Sequence, residues 1–124
     1  MKVSNNYSNQ QTFGMAFKKP NPETRQFIKN MVKELKPNDQ EKFFETFQKH
    51  VDGAKDCPVD IEMIGKPRTE LKPDIGFFVN GKKMCSGFTA NGVLECMKQA
   101  AAKAKEISNK TFDKKMDDLF EIMS

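Results

Sequence analysis

Tryptophan is absent from this chain, tyrosine and histidine occur once each, and only two of its 21 basic residues are arginines. Each shortage narrows the expectations. With Arg25 and Arg68 alone, the chain offers little of the guanidinium fork on which base-edge and phosphate recognition leans, so its many lysines read first as a solvated surface. A single imidazole means that any histidine-dependent dyad or metal site must include His50. Cys57, Cys85 and Cys96 are an odd set with no C-x-x-C pair, which points to free thiols and to neither a disulfide framework nor a zinc knuckle. No apolar run reaches the roughly 18 residues of a membrane span. The start, Met1 to Asn6, has no apolar stretch of a secretory signal, so a cytoplasmic protein without membrane contact is expected.

What is present suits one folded domain. A length of 124 residues can bury one hydrophobic core but rarely two. Hydrophobic residues make up 37% and charged residues 31%, so a core exists but is modest. Eleven Phe and eight Met imply a core of large, adaptable side chains. The net charge of +4 is unevenly spread. Lys18 to Lys36 and Lys98 to Lys115 are basic, whereas Pro37 to Ile64 is acidic.

Residues 1–11 are small or amide-bearing and read as a flexible polar tail, leaving 12–124 as the domain. From Thr12 to Phe17 apolar and small residues alternate, as a half-buried strand requires. Asn21-Pro22-Glu23 opens a helix with the stripe Phe27, Ile28, Met31, Val32 and Leu35, which Pro37 is expected to stop. Asn38 stands three before Glu41, a capping-box spacing, and opens a second helix with Phe43, Phe44, Phe47 and Val51 before Gly53. Val59, Ile61 and Met63 alternate as a strand, and Gly65 to Pro73 reads as a loop. Ile75 to Val79, Asn80-Gly81 and Lys82 to Ser86 form a two-residue hairpin, because Asn-Gly accepts the positive φ of a type I′ turn. That turn pairs Val79 with Lys82, Phe77 with Met84 and Ile75 with Ser86 on the core face. Phe78 opposite Lys83, and Gly76 opposite Cys85, take the other face. Thr89 or Asn91 caps a third helix carrying Val93, Leu94, Met97, Ala101 and Ala104. A break at Ser108-Asn109-Lys110 precedes a fourth, with Phe112, Met116, Leu119, Phe120 and Met123 on one face. The expected fold class is α+β: a roughly four-stranded, mostly antiparallel sheet packed with four helices in the order β-α-α-β-β-β-α-α.

Reactive constellations are few. His50 lies near the end of the second helix, where an imidazole interacts favourably with the helix C-terminus. Asp60 and Glu62 share one strand face, as acid/base pairs do and as solvent-facing strands also do. Lys66, Arg68, Lys82 and Lys83 are candidates for one basic patch. Phe78 beside Lys83 is a candidate surface for stacking on a base, a ring or a peptide side chain.

The order helix, three strands, helix from Asn38 to Ile107 resembles that of double-stranded RNA-binding domains. Val79-Asn80-Gly81 followed by Gln99-Ala100-Ala101-Ala102-Lys103 is similar to their sequence as well. The resemblance implies duplex RNA held through phosphates by lysines at the start of the last helix of the unit. Here that place holds Thr89, Ala90, Asn91 and Gly92, so the phosphate-binding part is missing. The expectation is a non-catalytic protein-interaction module, with no cofactor and no metal. RNA or nucleic-acid binding comes second, and a small thiol enzyme or hydrolase third. The partner is expected to be a protein, with the chain monomeric or a homodimer formed through the C-terminal helix.

Overall fold

The computed structural model describes residues 16–67 and 73–123. The expected polar tail, most of the first strand and the middle of the 65–73 loop therefore lie outside the described residues.

Helix α1 spans Pro22–Lys33. Asn21 caps it by accepting a hydrogen bond from the Thr24 amide at 2.8 Å, and Pro22 fits the first turn, where its missing N–H costs nothing. Helix α2 covers Pro37–Gly53. Pro37 is its first residue rather than the stop of α1, and Lys36, not Asn38, stands at the cap without a side-chain bond. The fixed φ of proline suits the first helical position, and α1 has already ended at Lys33.

Strands β1 (Ile61–Lys66), β2 (Asp74–Val79) and β3 (Lys82–Gly87) form an antiparallel sheet in the order β1-β2-β3. Asn80 and Gly81 turn the hairpin with φ of 54° and 85°, as the sequence requires. Val79 pairs with Lys82 and Phe78 with Lys83, in the expected register. Beyond them a β-bulge shifts the register, so that Phe77 pairs with Cys85 and Ile75 with Gly87. The expected core partners Met84 and Ser86 are thus displaced: Met84 is the extra residue and is exposed, and Cys85 turns to the core side.

Helix α3 runs unbroken over Ala90–Met123, 34 residues. Thr89 caps it, its hydroxyl accepting from the Gly92 amide at 3.0 Å. The expected four-stranded, four-helix arrangement is corrected to three strands and three helices among the described residues, within the α+β class. Two causes account for this. Ser108-Asn109 lacks proline and glycine, and Ser or Asn inside a helix costs only about half a kcal/mol each, too little to end it. Glu106 also ties the segment together, with Lys103 at 3.2 Å and Lys110 at 3.6 Å. On the strand side, Ala16 and Phe17 form only a single bridge, parallel rather than antiparallel, to Ile61.

The core lies between one sheet face and the helices. Ile61, Met63, Ile75, Phe77 and Val79 meet Val93, Met97, Ala100 and Ala104 of α3, with Ile28, Met31 and Phe43 completing it from α1 and α2. Close approach at the sheet's end depends on Gly87, where a β-carbon would stand 2.7 Å from the backbone of Gly92. The outer edge of β1 is closed at both ends. Ile61 exchanges backbone hydrogen bonds with Ala16 and Lys18, and the buried Thr24 hydroxyl accepts from the Gly65 amide at 2.7 Å. No helix among the described residues is long and apolar enough to cross a membrane.

Candidate functional site

The outer sheet face carries the row Glu62, Phe78, Lys83 across its three strands. Phe78 is half-buried, in part by the sheet itself. A β-carbon at Gly76 would lie 3.2 Å from Phe78 Cε1 and 3.6 Å from Lys83 Cε, so the ring and the lysine stem fold over the glycine. This is an aromatic between two opposite charges. Cys85, expected on this face, is not there, because the bulge places it with Phe77.

Among the described residues the members of the candidate basic patch stand at different ends of the sheet. Lys66 pairs with Asp74 at one end of the sheet, while Lys82 pairs with Val79 at the hairpin end. At roughly 3.3 Å per strand residue these ends are about 17 Å apart. Lys82 and Lys83 are adjacent in sequence but point to opposite faces, and Arg68 lies outside the described residues.

Among the described residues the titratable groups singled out in the sequence lie in separate places. His50, in the last turn of α2, is held below the ordinary imidazole value of 6.5 by burial first, then by Lys49 and Lys98, against a raising influence of Glu95. Less of the charged form is thus available at neutral pH for the helix-end interaction expected from sequence. Cys96 is buried, and its thiol is pushed up to about 12, chiefly by that burial and then by Cys85. A thiol so poorly ionised is a weak nucleophile. Cys85 points its thiol at the Cys96 carbonyl oxygen, 3.9 Å away. Asp60 forms a surface ion pair with Lys18 at 3.2 Å. Among the described residues no group of three or more His, Cys, Asp or Glu is placed to hold a metal ion.

The least expected feature is the second half of α3. Ala104 is the last buried residue of the helix, and from Asn109 onward only Met116 is even half-buried. Phe112 is 61% exposed, Leu119 48%, Phe120 55%, Ile122 81% and Met123 72%. At about 1.5 Å per residue, Ser108 to Met123 forms a rod of roughly 24 Å with its apolar side in water. At about 100° per residue, the stripe Phe112, Met116, Leu119, Phe120, Met123 is centred about a third of a turn from the stripe that α3 buries against the sheet. A straight continuation of the helix therefore cannot bring it back onto the core. The sequence displayed this stripe but not its exposure, because its spacing is the same in a docked and an undocked helix. Ile122 was not in the expected stripe and, among the described residues, is the most exposed of the large apolar side chains.

A second apolar surface lies on α1 and α2, where Ile28, Phe43, Phe44, Phe47 and Val51 line an open depression. Phe43 and Phe47 support each other at 5.7 Å between ring centroids, while Phe44 is 69% exposed.

Comparison with protein-family models, with curated proteins and with solved structures finds no match.

Proposed function

We propose that this chain is a non-catalytic, cytosolic protein-binding module whose binding element is the free half of α3. The α/β body serves as the rigid base that starts and orients the helix. The observation that carries this reading is the apolar stripe from Phe112 to Met123, exposed on a helix that leaves the body. Exposed apolar surface of this extent on a soluble domain marks an interaction site. Its chemistry favours a protein over a lipid surface or a nucleic acid. Between Ser108 and Met123 three lysines face four acidic residues, whereas helices that lie on membranes or phosphate backbones are rich in lysine and arginine. Amphipathic helices that bind proteins do so through side chains spaced three and four apart, as here.

One test compares the wild type with a Phe112→Ala/Leu119→Ala/Phe120→Ala chain as bait for binding proteins. Proteins retained by the first and lost by the second support the reading; identical sets overturn it. A second reading, duplex RNA binding, has in its favour the order α2, β1, β2, β3, α3. Against it stand the Ala90-Asn91-Gly92 start of α3 and the separation of Lys66 from Lys82. Titration with duplex RNA at two salt concentrations decides it, since phosphate-driven binding must weaken steeply as salt rises.

A further inference from the structure

Strand β3 and helix α3 meet backbone to backbone at Gly87 and Gly92, and from that contact they run back alongside each other. Cys85 lies two residues from Gly87 on the same, core-side face of the strand, and Cys96 lies one helical turn from Gly92. Two strand residues advance about 6.6 Å and four helical residues about 6 Å, so the cysteines stay abreast. The bulge after Phe78 completes the arrangement, since without the extra Met84 the Cys85 side chain would take the outer face. The resulting contact is direct. Cys85 Sγ lies 3.9 Å from the Cys96 carbonyl oxygen, and the Cys96 thiol in turn bonds to the Cys85 sulfur. Cys85 is half-buried and reachable from solvent, whereas Cys96 is buried.

We propose that Cys85 and Cys96 are a redox pair, which a low-molecular-weight disulfide oxidises to a reversible bridge between β3 and α3. The Cys85 thiolate attacks one sulfur of the reagent disulfide and releases the other half as a thiolate, leaving a mixed disulfide on Cys85. Cys96, giving up its proton, then attacks the Cys85 sulfur and expels the second half. Two cysteine thiols are oxidised, the reagent disulfide is reduced to two thiols, and the two cysteine protons end on those thiols. A thiol as poorly ionised as Cys96 resolves the mixed disulfide only because it is held in contact with it; well-oriented intramolecular reactions reach effective concentrations of about 10⁵ M or more. In a reducing compartment such a bridge is transient and redox-sensing, not a permanent staple. While it lasts, it ties the root of the projecting helix to the outermost strand of the sheet.

The test is to incubate the folded full chain with glutathione disulfide, quench with acid, digest without reductant and weigh the peptides. The wild type should yield a peptide linking Cys85 to Cys96, two hydrogens lighter than its reduced parts, and reduced glutathione should restore both thiols. Cys96→Ser should instead keep one glutathione on Cys85, because the resolving thiol is gone. The bridged wild type should unfold at a higher urea concentration than the reduced one, since the bridge restricts the unfolded chain. Glutathione retained on Cys85 in the wild type, a link that includes Cys57, or a bridge that forms only in urea would each overturn the proposal. So would Cys85 and Cys96 left unmodified by glutathione disulfide, a bridge that reduced glutathione fails to open, or a bridged form less stable than the reduced one.

Discussion

Truncation of two phenylalanines to alanine should have opposite consequences in the body and in the free helix. Phe77 is fully buried at the centre of the sheet, so Phe77→Ala removes a ring from a packed core and costs about 3–5 kcal/mol. Phe112 and Phe120 are 61% and 55% exposed, so most of their apolar area already meets water in the folded chain. Their replacement also gains helix propensity, about half a kcal/mol for each alanine. For Phe112→Ala/Phe120→Ala the net change should stay within about 1 kcal/mol of zero. The assay is urea unfolding followed by far-UV circular dichroism, at a concentration low enough to keep the chain monomeric. A loss above about 2 kcal/mol for the double variant in dilute solution would mean that the stripe is packed on its own body, refuting the reasoning.

Three further outcomes follow from single contacts. Thr24→Val keeps the shape of the side chain but leaves the buried Gly65 amide without its acceptor, so stability should fall by about 1–3 kcal/mol in the same denaturation assay, and Thr24→Ser should restore most of it. Gly87→Ala should destabilise more than an ordinary surface change, because the new methyl meets the α3 backbone at 2.7 Å and helix backbone cannot yield as a side chain can; a melting temperature equal to the wild type would contradict this. The lowered pKa of His50 means that the unfolded chain binds its proton first as pH falls. The stability this histidine contributes is full above pH 6.5 and is lost as pH drops through its folded value, so His50→Gln should flatten the pH dependence of melting in that window.

Much of the fold was legible because its signals are local. Asn21-Pro22, Asn80-Gly81 and the α3 stripe each fix backbone geometry within a few residues, and each is found where the sequence places it. The bulge after Phe78 was not legible, since nothing in Lys83-Met84-Cys85 marks the extra residue, and one such residue exchanges Met84 for Cys85 on the core face. The joining of the last two helices was missed for a related reason. Ser108 and Asn109 are weak helix breakers read alone, and their neighbours Glu106 and Lys110 outweigh them. Of the candidate site, Phe78 and Lys83 were correctly placed together, but Lys66 and Lys82 were not separable in sequence because strand lengths decide how far apart they stand. Exposure of the Phe112 to Met123 stripe depends on where the body ends, which no local pattern records.

The central claim, that the free half of α3 is unpartnered in the single chain, is tested most directly by amide hydrogen exchange in dilute solution. In dilute solution residues 108–123 should exchange quickly while the core amides of β2 and of Val93 to Ala104 stay protected. Protection of 108–123 equal to that of the core in dilute solution would contradict the account.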